Sequence, residues 1–366
     1  MDSMKMDRKL GYWAGLMVLG WLGLPCAAEK ALLTPEAFRE QYLGKAGRVD
    51  FVFGDDRPFQ SCHASTVAVT KDGTVLCAWF GGTKEKDPDV AIWLSRFSGE
   101  AWSAPEKVAK INGTAHWNPV LFSPDGGRVY LFFKVGPEIP DWQTYWQQSD
   151  DGGKTWSTAT ELVAGDHGGR GPVRNKPIVL SDGAWLAGAS TEQGAWLPFA
   201  DRSEDLGKTW TRSKNFEIVP SELRGRGAIQ PTLLEFAPGQ VTALMRSQGG
   251  RVWQTDSADG GKTWSKVVAS DLPNNNSGVD AALLPDGRAW IVYNPVGQNW
   301  GVRSPISIAE SKDRGKSWQR LVDLDDEDMK EFSYPAIVAG PDGGVVISYT
   351  WKRERIRVWQ IPGPKP

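Results

Sequence analysis

A repeat of fixed length constrains the fold of this chain more than any other feature. Four segments share one pattern: Ser149-Asp-Asp151-Gly-Gly153-Lys-Thr-Trp156, Ser203-Glu-Asp205-Leu-Gly207-Lys-Thr-Trp210, Ser257-Ala-Asp259-Gly-Gly261-Lys-Thr-Trp264 and Ser311-Lys-Asp313-Arg-Gly315-Lys-Ser-Trp318, each 54 residues from the last. One further step back lands on Ser95, Gly99 and Trp102, a degenerate copy with Phe97 in place of the aspartate. A second series runs between these: Asp72-Gly73, Asp125-Gly126, Asp182-Gly183, Pro238-Gly239, Asp286-Gly287 and Asp342-Gly343. Each is flanked by β-branched or aromatic runs, and Asp-Gly between such runs is a hairpin signal. A unit of about 56 residues therefore reads as four strands, and a period in this range with four strands per unit is a propeller. Six units fit the length. The spacing predicts an all-β, six-bladed β-propeller, with Val49–Phe53 closing the ring against the last blade and a short helix near Pro35–Leu43.

The Ser-x-Asp-x-Gly-x-Thr-Trp segment has its own chemistry. Its aspartate can accept backbone N–H bonds inside the turn, its glycine can supply a positive φ, and its tryptophan can bury against the blade. Four near-identical copies point to scaffold work, because an active site is built once. The four tryptophans are expected to be largely buried on one face.

The N-terminus reads as an export leader. Lys5, Arg8 and Lys9 precede an apolar run, Leu10–Leu24, and Cys26-Ala27-Ala28 ends it with small residues, the pattern of a cleaved signal peptide. A run of about 15 residues is short for a membrane span, which needs roughly 20. The expected order is leader 1–28, lead-in 29–48 and propeller 49–362, in a secreted or periplasmic protein with no stable membrane insertion. Net charge is −2, which makes no case for nucleic acid as a partner. Cys62 and Cys77 flank one predicted hairpin out of register and read as free buried thiols. No carboxylates cluster at calcium-loop spacing, so no metal site is expected. The 19 tryptophans against 3 histidines suggest a repeated packing position or a sugar-stacking surface.

In a four-stranded meander the tight turns gather at one end of each blade, so the irregular residues should gather at the other. Inner strands begin at His63, His116-Trp117-Asn118, Arg174-Asn175-Lys176, Gln230, Asn276-Ser277 with Asp280, and Tyr334. The facing loops carry Glu85, Asp87 and Asp89, then Lys134, Glu192, Arg246, Asn294, Arg303 and Trp351-Lys352-Arg353. Polar side chains heading inner strands converge on the central funnel, and loops on a rigid scaffold are where function resides.

The four boxes, the blade count and several intervening positions resemble the sialidase (neuraminidase) superfamily, including the bacterial predicted-neuraminidase group, over nearly all of the chain after the leader. The resemblance implies an exo-acting glycoside hydrolase on an acidic terminal sugar of a glycan, with no cofactor. Of the three arginines that hold a sialidase substrate's carboxylate, the second matches Arg246 and the third Arg303. The nucleophilic tyrosine matches Tyr334, and Asp87 is the choice for the acid/base aspartate, with Glu85 and Asp89 as alternatives. Arg174, Asn175, Lys176, His116, Asn118 and Asp280 join them as candidate substrate-binding residues. Two positions depart from the pattern. His63 stands where the first arginine is expected, with Arg57 six residues upstream outside the matching frame, and Gln230 stands where a glutamate assists the tyrosine. Gln cannot take a proton and His is not a permanent carboxylate fork. The departures therefore suggest His63 as a proton-transfer group that arginine cannot replace. They also keep open a polysaccharide lyase acting on a uronate, with His63 or His116 and Tyr334 moving protons, and a carbohydrate-binding propeller without turnover.

Overall fold

Hydrogen bonding in the computed structural model assigns Arg48–Ile361 to six antiparallel sheets of four strands. The structure describes residues 32–363 apart from 112, 193, 224 and 226, and the leader expected over 1–28 lies outside the described residues. From inner to outer strand, blade one is Ser61–Val69, Val75–Gly82, Ala91–Phe97 and Glu106–Ala109, and blade two is His116–Phe122, Val129–Val135, Gln143–Ser149 and Thr160–Glu161. Blade three is Ile178–Val179, Trp185–Thr191, Leu197–Ser203 and Thr211–Arg212; blade four is Ala228–Ala237, Gln240–Ser247, Arg251–Ser257 and Val268–Pro273. Blade five is Asp280–Leu283, Ala289–Tyr293, Ile306–Ser311 and Gln319–Asp325. Blade six is Phe332–Ala339, Val345–Trp351 and Arg355–Ile361, completed by Arg48–Phe51. Val49 pairs with Trp359, so the ring closes where the sequence placed it. A short helical segment, Pro35–Phe38 running on as a wider turn to Leu43, packs Phe38 between Trp290 and Trp359. No helix among the described residues is long and apolar enough to cross a membrane.

Turn chemistry explains the hairpins. In the six Asp-Gly or Pro-Gly turns the glycine has φ between 71° and 85°, which a residue with a Cβ adopts only with strain. In the box turns Asp151 accepts the Lys154 and Thr155 amides at 3.0 and 2.9 Å and the Thr155 hydroxyl at 2.6 Å, while Ser149 Oγ receives the Gly153 amide at 2.8 Å. Asp205 and Asp259 repeat the arrangement. The Thr209 hydroxyl and amide hold the Asp205 carboxyl down to about 2. Trp210 is buried, but Trp156, Trp264 and Trp318 are only half-buried, less than expected. Trp156, Trp210 and Trp264 donate Nε1 to the box glycine carbonyl, which keeps those rings at the blade's outer corner. Cys62 and Cys77 are free and buried.

The apolar side chains form six clusters, one between each pair of adjacent blades. Both faces of every sheet are thus covered, and the inner strands read as nearly continuous buried runs. Strands of different blades do not pair at the axis; side chains join them instead. Asp280 is the hub. It accepts Thr232 Oγ1 at 2.7 Å, the Ile337 amide at 2.9 Å and Lys176 Nζ at 3.0 Å, tying blades three, four, five and six. Breaking a buried pair leaves an uncompensated charge and costs about 3–5 kcal/mol. Asp280→Ala is therefore expected to lower unfolding stability by about that amount in equilibrium urea denaturation; a loss under about 1 kcal/mol would show that the axis does not depend on this carboxylate.

Candidate active site

Four inner strands slip their register near the N-terminal end, leaving Ala64-Ser65, Asn118-Pro119, Gln230-Pro231 and Tyr334-Pro335 unpaired. The first residue of each pair has positive φ: 55°, 42°, 59° and 52°. A bulge turns a side chain out of the strand's alternation, and proline, having no N–H, leaves no broken ladder bond behind. Asn118, Gln230 and Tyr334 hold a conformation that is unfavourable for a residue with a Cβ. Such strain persists where the surroundings enforce it. Here they do: Arg174 Nη2 donates to the carbonyls of Tyr334, at 2.5 Å, and Pro335, at 2.9 Å, and Asn175 Nδ2 donates to the Gln230 carbonyl at 2.9 Å.

Tyr334 is the centre of the constellation. The guanidinium carbons of Arg303, Arg174 and Arg246 lie 5.3, 5.5 and 5.6 Å from its ring centroid. Arg246 Nη1 donates to the phenolic oxygen at 2.5 Å. Asn276 Oδ1 receives Arg246 Nε and Nη2 at 3.2 and 3.1 Å, and Gln230 Oε1 receives Nη1 at 3.4 Å. Trp196 covers the guanidinium at 5.4 Å. On the far side of Gln230, its Nε2 donates to Glu192 at 3.4 Å. Burial raises the Glu192 carboxyl above its ordinary value against the pull of Arg246 and Lys134.

His63 packs against Tyr334 with ring centroids 4.2 Å apart. Its Nδ1 faces Glu331 at 3.8 Å and its Nε2 faces Arg353 Nη2 at 3.5 Å. Burial, then the charges of Arg353, Arg303, Arg174 and Arg246, hold its pKa well below the usual 6.5. Glu331 bridges the cations, bonding Arg303 at 2.7 Å, Arg353 at 3.0 Å and the Ser333 hydroxyl at 2.8 Å. Burial alone would push Glu331 up, but Arg303 and Arg353 outweigh it and hold the carboxyl below its ordinary value. Arg353 also bonds Glu85 at 2.6 Å.

The sequence-derived candidates divide accordingly. Tyr334, His63, Gln230, Arg246, Arg303 and Arg174 come together, though His63 is only 2 % and Arg174 1 % exposed. His63 is buried against Tyr334, with its ring nitrogens turned to Glu331 and Arg353. Arg174 is likewise buried, bonded to the backbone of the bulge. Of the acidic loop, Glu85 is the carboxyl bonded to the site. Asp89 is taken up by Thr83, and Asp87 gives its backbone groups to the turn while its carboxylate has no partner among the described residues. His116 is a structural residue. Its Nε2 accepts the Ile111 amide at 2.9 Å, so Nδ1 carries the proton, facing the Thr114 carbonyl at 2.9 Å, and the ring stacks on Phe133. Lys176 and Asp280 form the axial ion pair, and Asn175 is bonded to the Gln230 carbonyl. Asn118 heads blade two, buried. Arg57 turns to Asp55; the cation beside His63 is Arg353. Glu331 and Trp196 were not legible as site residues. The X-Pro pairs at the inner-strand heads were the available signal for the bulges. Among the described residues no cluster of His, Cys, Asp or Glu could hold a metal ion.

The fold and the site together define a sialidase-like propeller. The chain belongs to the BNR repeat-like domain family, which it matches over residues 73–347. Its structure is similar to the Hadza microbial sialidase Hz136, with TM-score 0.69, 18 % identity, and coverage of 86 % of this chain and 68 % of that one. It is also similar to the intramolecular trans-sialidase from Ruminococcus gnavus, with TM-score 0.66, 13 % identity, and coverage of 86 % and 98 %. A protein of unknown function from Dyadobacter fermentans has TM-score 0.67 and 16 % identity, covering 87 % and 100 %. No curated protein sequence matches the chain.

The histidine environments are directly measurable. Burial brings the His116 pKa down from 6.5 to about 4, so its contribution to stability is whole above the unfolded value of 6.5 and is lost as pH falls toward about 4. In an NMR titration the His63 and His116 ring protons should keep neutral shifts at about pH 6; a His116 resonance titrating at its ordinary value would contradict the two-bond geometry.

Proposed function

We propose that this chain is an exo-acting glycosidase of sialidase type, cleaving an acidic terminal sugar from a glycan. One observation carries the reading: the Tyr334 hydroxyl receives a hydrogen bond from Arg246 and stands among three guanidiniums. A phenol so placed is suited to attack an anomeric carbon, because fixed cations stabilise the charge that develops on its oxygen without reorganising. Arg246 and Arg303 present planar donor forks to the sugar carboxylate. Glu331 holds Arg303 in orientation, at the cost of neutralising part of its charge. The blade-one loop is tied to the site through Glu85 and Arg353, and Asp87 is its uncommitted carboxyl, the source of the proton for the leaving oxygen.

For an elimination, neither histidine candidate is placed to act as the base. His116 has both ring nitrogens engaged, and those of His63 face Glu331 and Arg353 from a buried ring. The hydrolase reading is the one supported.

The test is a panel of aryl and oligosaccharide glycosides ending in sialic acid, related keto-acids or uronates, with the products identified. Hydrolysis of at least one is expected, with no unsaturated uronate. Tyr334→Phe should lower kcat by at least about a thousandfold, the scale of a lost nucleophile, while binding of the free acidic sugar persists. Retained turnover in Tyr334→Phe, or an unsaturated product, would overturn the assignment.

A further inference from the structure

Tyr334 must release its phenolic proton as Oη attacks, and the side chain beside it, Gln230, has no basic atom to receive it. Among the described residues, the carboxyls bonded to side chains of the site and the axis below it are Glu85, Glu331, Asp280 and Glu192. The first three are each bonded to a cation: Glu85 to Arg353, Glu331 to Arg303 and Arg353, and Asp280 to Lys176. A carboxylate paired in this way stays ionised and is a poor destination for a proton. Glu192 differs. It is held by neutral groups, Gln230 Nε2 at 3.4 Å and the Ser190 hydroxyl, and it is half-buried. Gln230 links it to the site, since Gln230 Oε1 receives Arg246 Nη1, the nitrogen that is bonded to Tyr334 Oη.

We propose that Glu192 is the proton acceptor for Tyr334, supplied from blade three in place of a carboxyl at position 230. The assignment rests on the glycosidase reading above. In the first step an Oη lone pair bonds to the anomeric carbon, and the bond to the leaving oxygen breaks with its electrons. The phenolic proton passes to Glu192 through one water or past a rotated Gln230, and the leaving oxygen takes a proton from Asp87. In the second step water bonds to the carbon and gives its proton to Asp87. Tyr334 departs with the electrons of its bond and recovers its proton from Glu192. Both carboxyls end as they began.

The charged groups facing Glu192 are Arg246 of blade four and Lys134 of blade two, which oppose burial without reversing its effect. Catalysis that needs the carboxylate therefore loses rate on the acid side at a pH above the ordinary glutamate range. Lys134, brought down to about 8 by burial, changes the field at the alkaline end.

The experiment uses aryl glycosides, whose leaving groups depart without protonation, so the tyrosine step is read alone. E192Q should lower kcat/KM by about a hundredfold and flatten the acid limb of its pH profile. E192D should keep the limb. Adding Q230E to E192Q moves a carboxylate next to Tyr334 and should restore about tenfold or more of the loss. A merely structural role would not move the limb or permit this rescue. The assignment is overturned if E192Q keeps the wild-type limb, or if its defect appears only with unactivated leaving groups. Wild-type protein inert toward every acidic glycoside would defeat the glycosidase reading itself; an active wild type with an indifferent E192Q defeats Glu192 alone.

Discussion

Among the described residues no inner strand pairs with the inner strand of the next blade, so the axis is joined by side chains. That constraint organises the rest. Asp280 collects bonds from Lys176, Thr232 and the Ile337 backbone, and Arg174 and Asn175 reach across to the carbonyls of Tyr334 and Gln230. They hold the bulges at Gln230 and Tyr334 in a strained conformation, and both side chains meet the Arg246 guanidinium. Scaffold and site are thus consecutive layers of one polar axis.

The same layering explains the electrostatics. Four arginines, Arg174, Arg246, Arg303 and Arg353, occupy a region that burial makes hostile to charge. Arg303 and Arg353 are offset by Glu331 and Glu85. Arg246 is held by neutral oxygens of Asn276, Gln230 and Tyr334, and Arg174 by backbone carbonyls, with its Nε and Nη1 lacking partners among the described residues. Burial lowers Arg174 to about 10. Arg246 and Arg174 are thus the two of the four that are bonded to no carboxylate among the described residues.

Much of this was legible in the sequence. The 54-residue period fixed blade number and turn positions, because each turn needs particular residues whatever the rest of the chain does. The segment expected to close the ring, Val49–Phe53, is in the structure the strand Arg48–Phe51, paired in blade six. Tyr334, Arg246 and Arg303 were singled out by resemblance, and their side chains lie together. What escaped notice depends on long-range geometry. Lys176 and Asp280 looked like site residues because they head inner strands, yet 104 residues apart they neutralise each other. His116 has the type of a catalytic residue, but two local backbone groups occupy it. Glu331 lies beside a strand end, where one bulge decides which way a side chain faces.

The central claim is that the guanidinium ring around Tyr334 receives the carboxylate of a sugar. A crystal structure with a bound acidic monosaccharide, sialic acid or glucuronate, tests it most directly. The expected result places the carboxylate against Arg246 and Arg303, with the anomeric carbon within reach of Tyr334 Oη. A sugar bound instead on the opposite face, in the 650 Å³ cavity lined by Arg96, Trp102 and Asp151, with the Tyr334 funnel empty at saturating concentration, would contradict it.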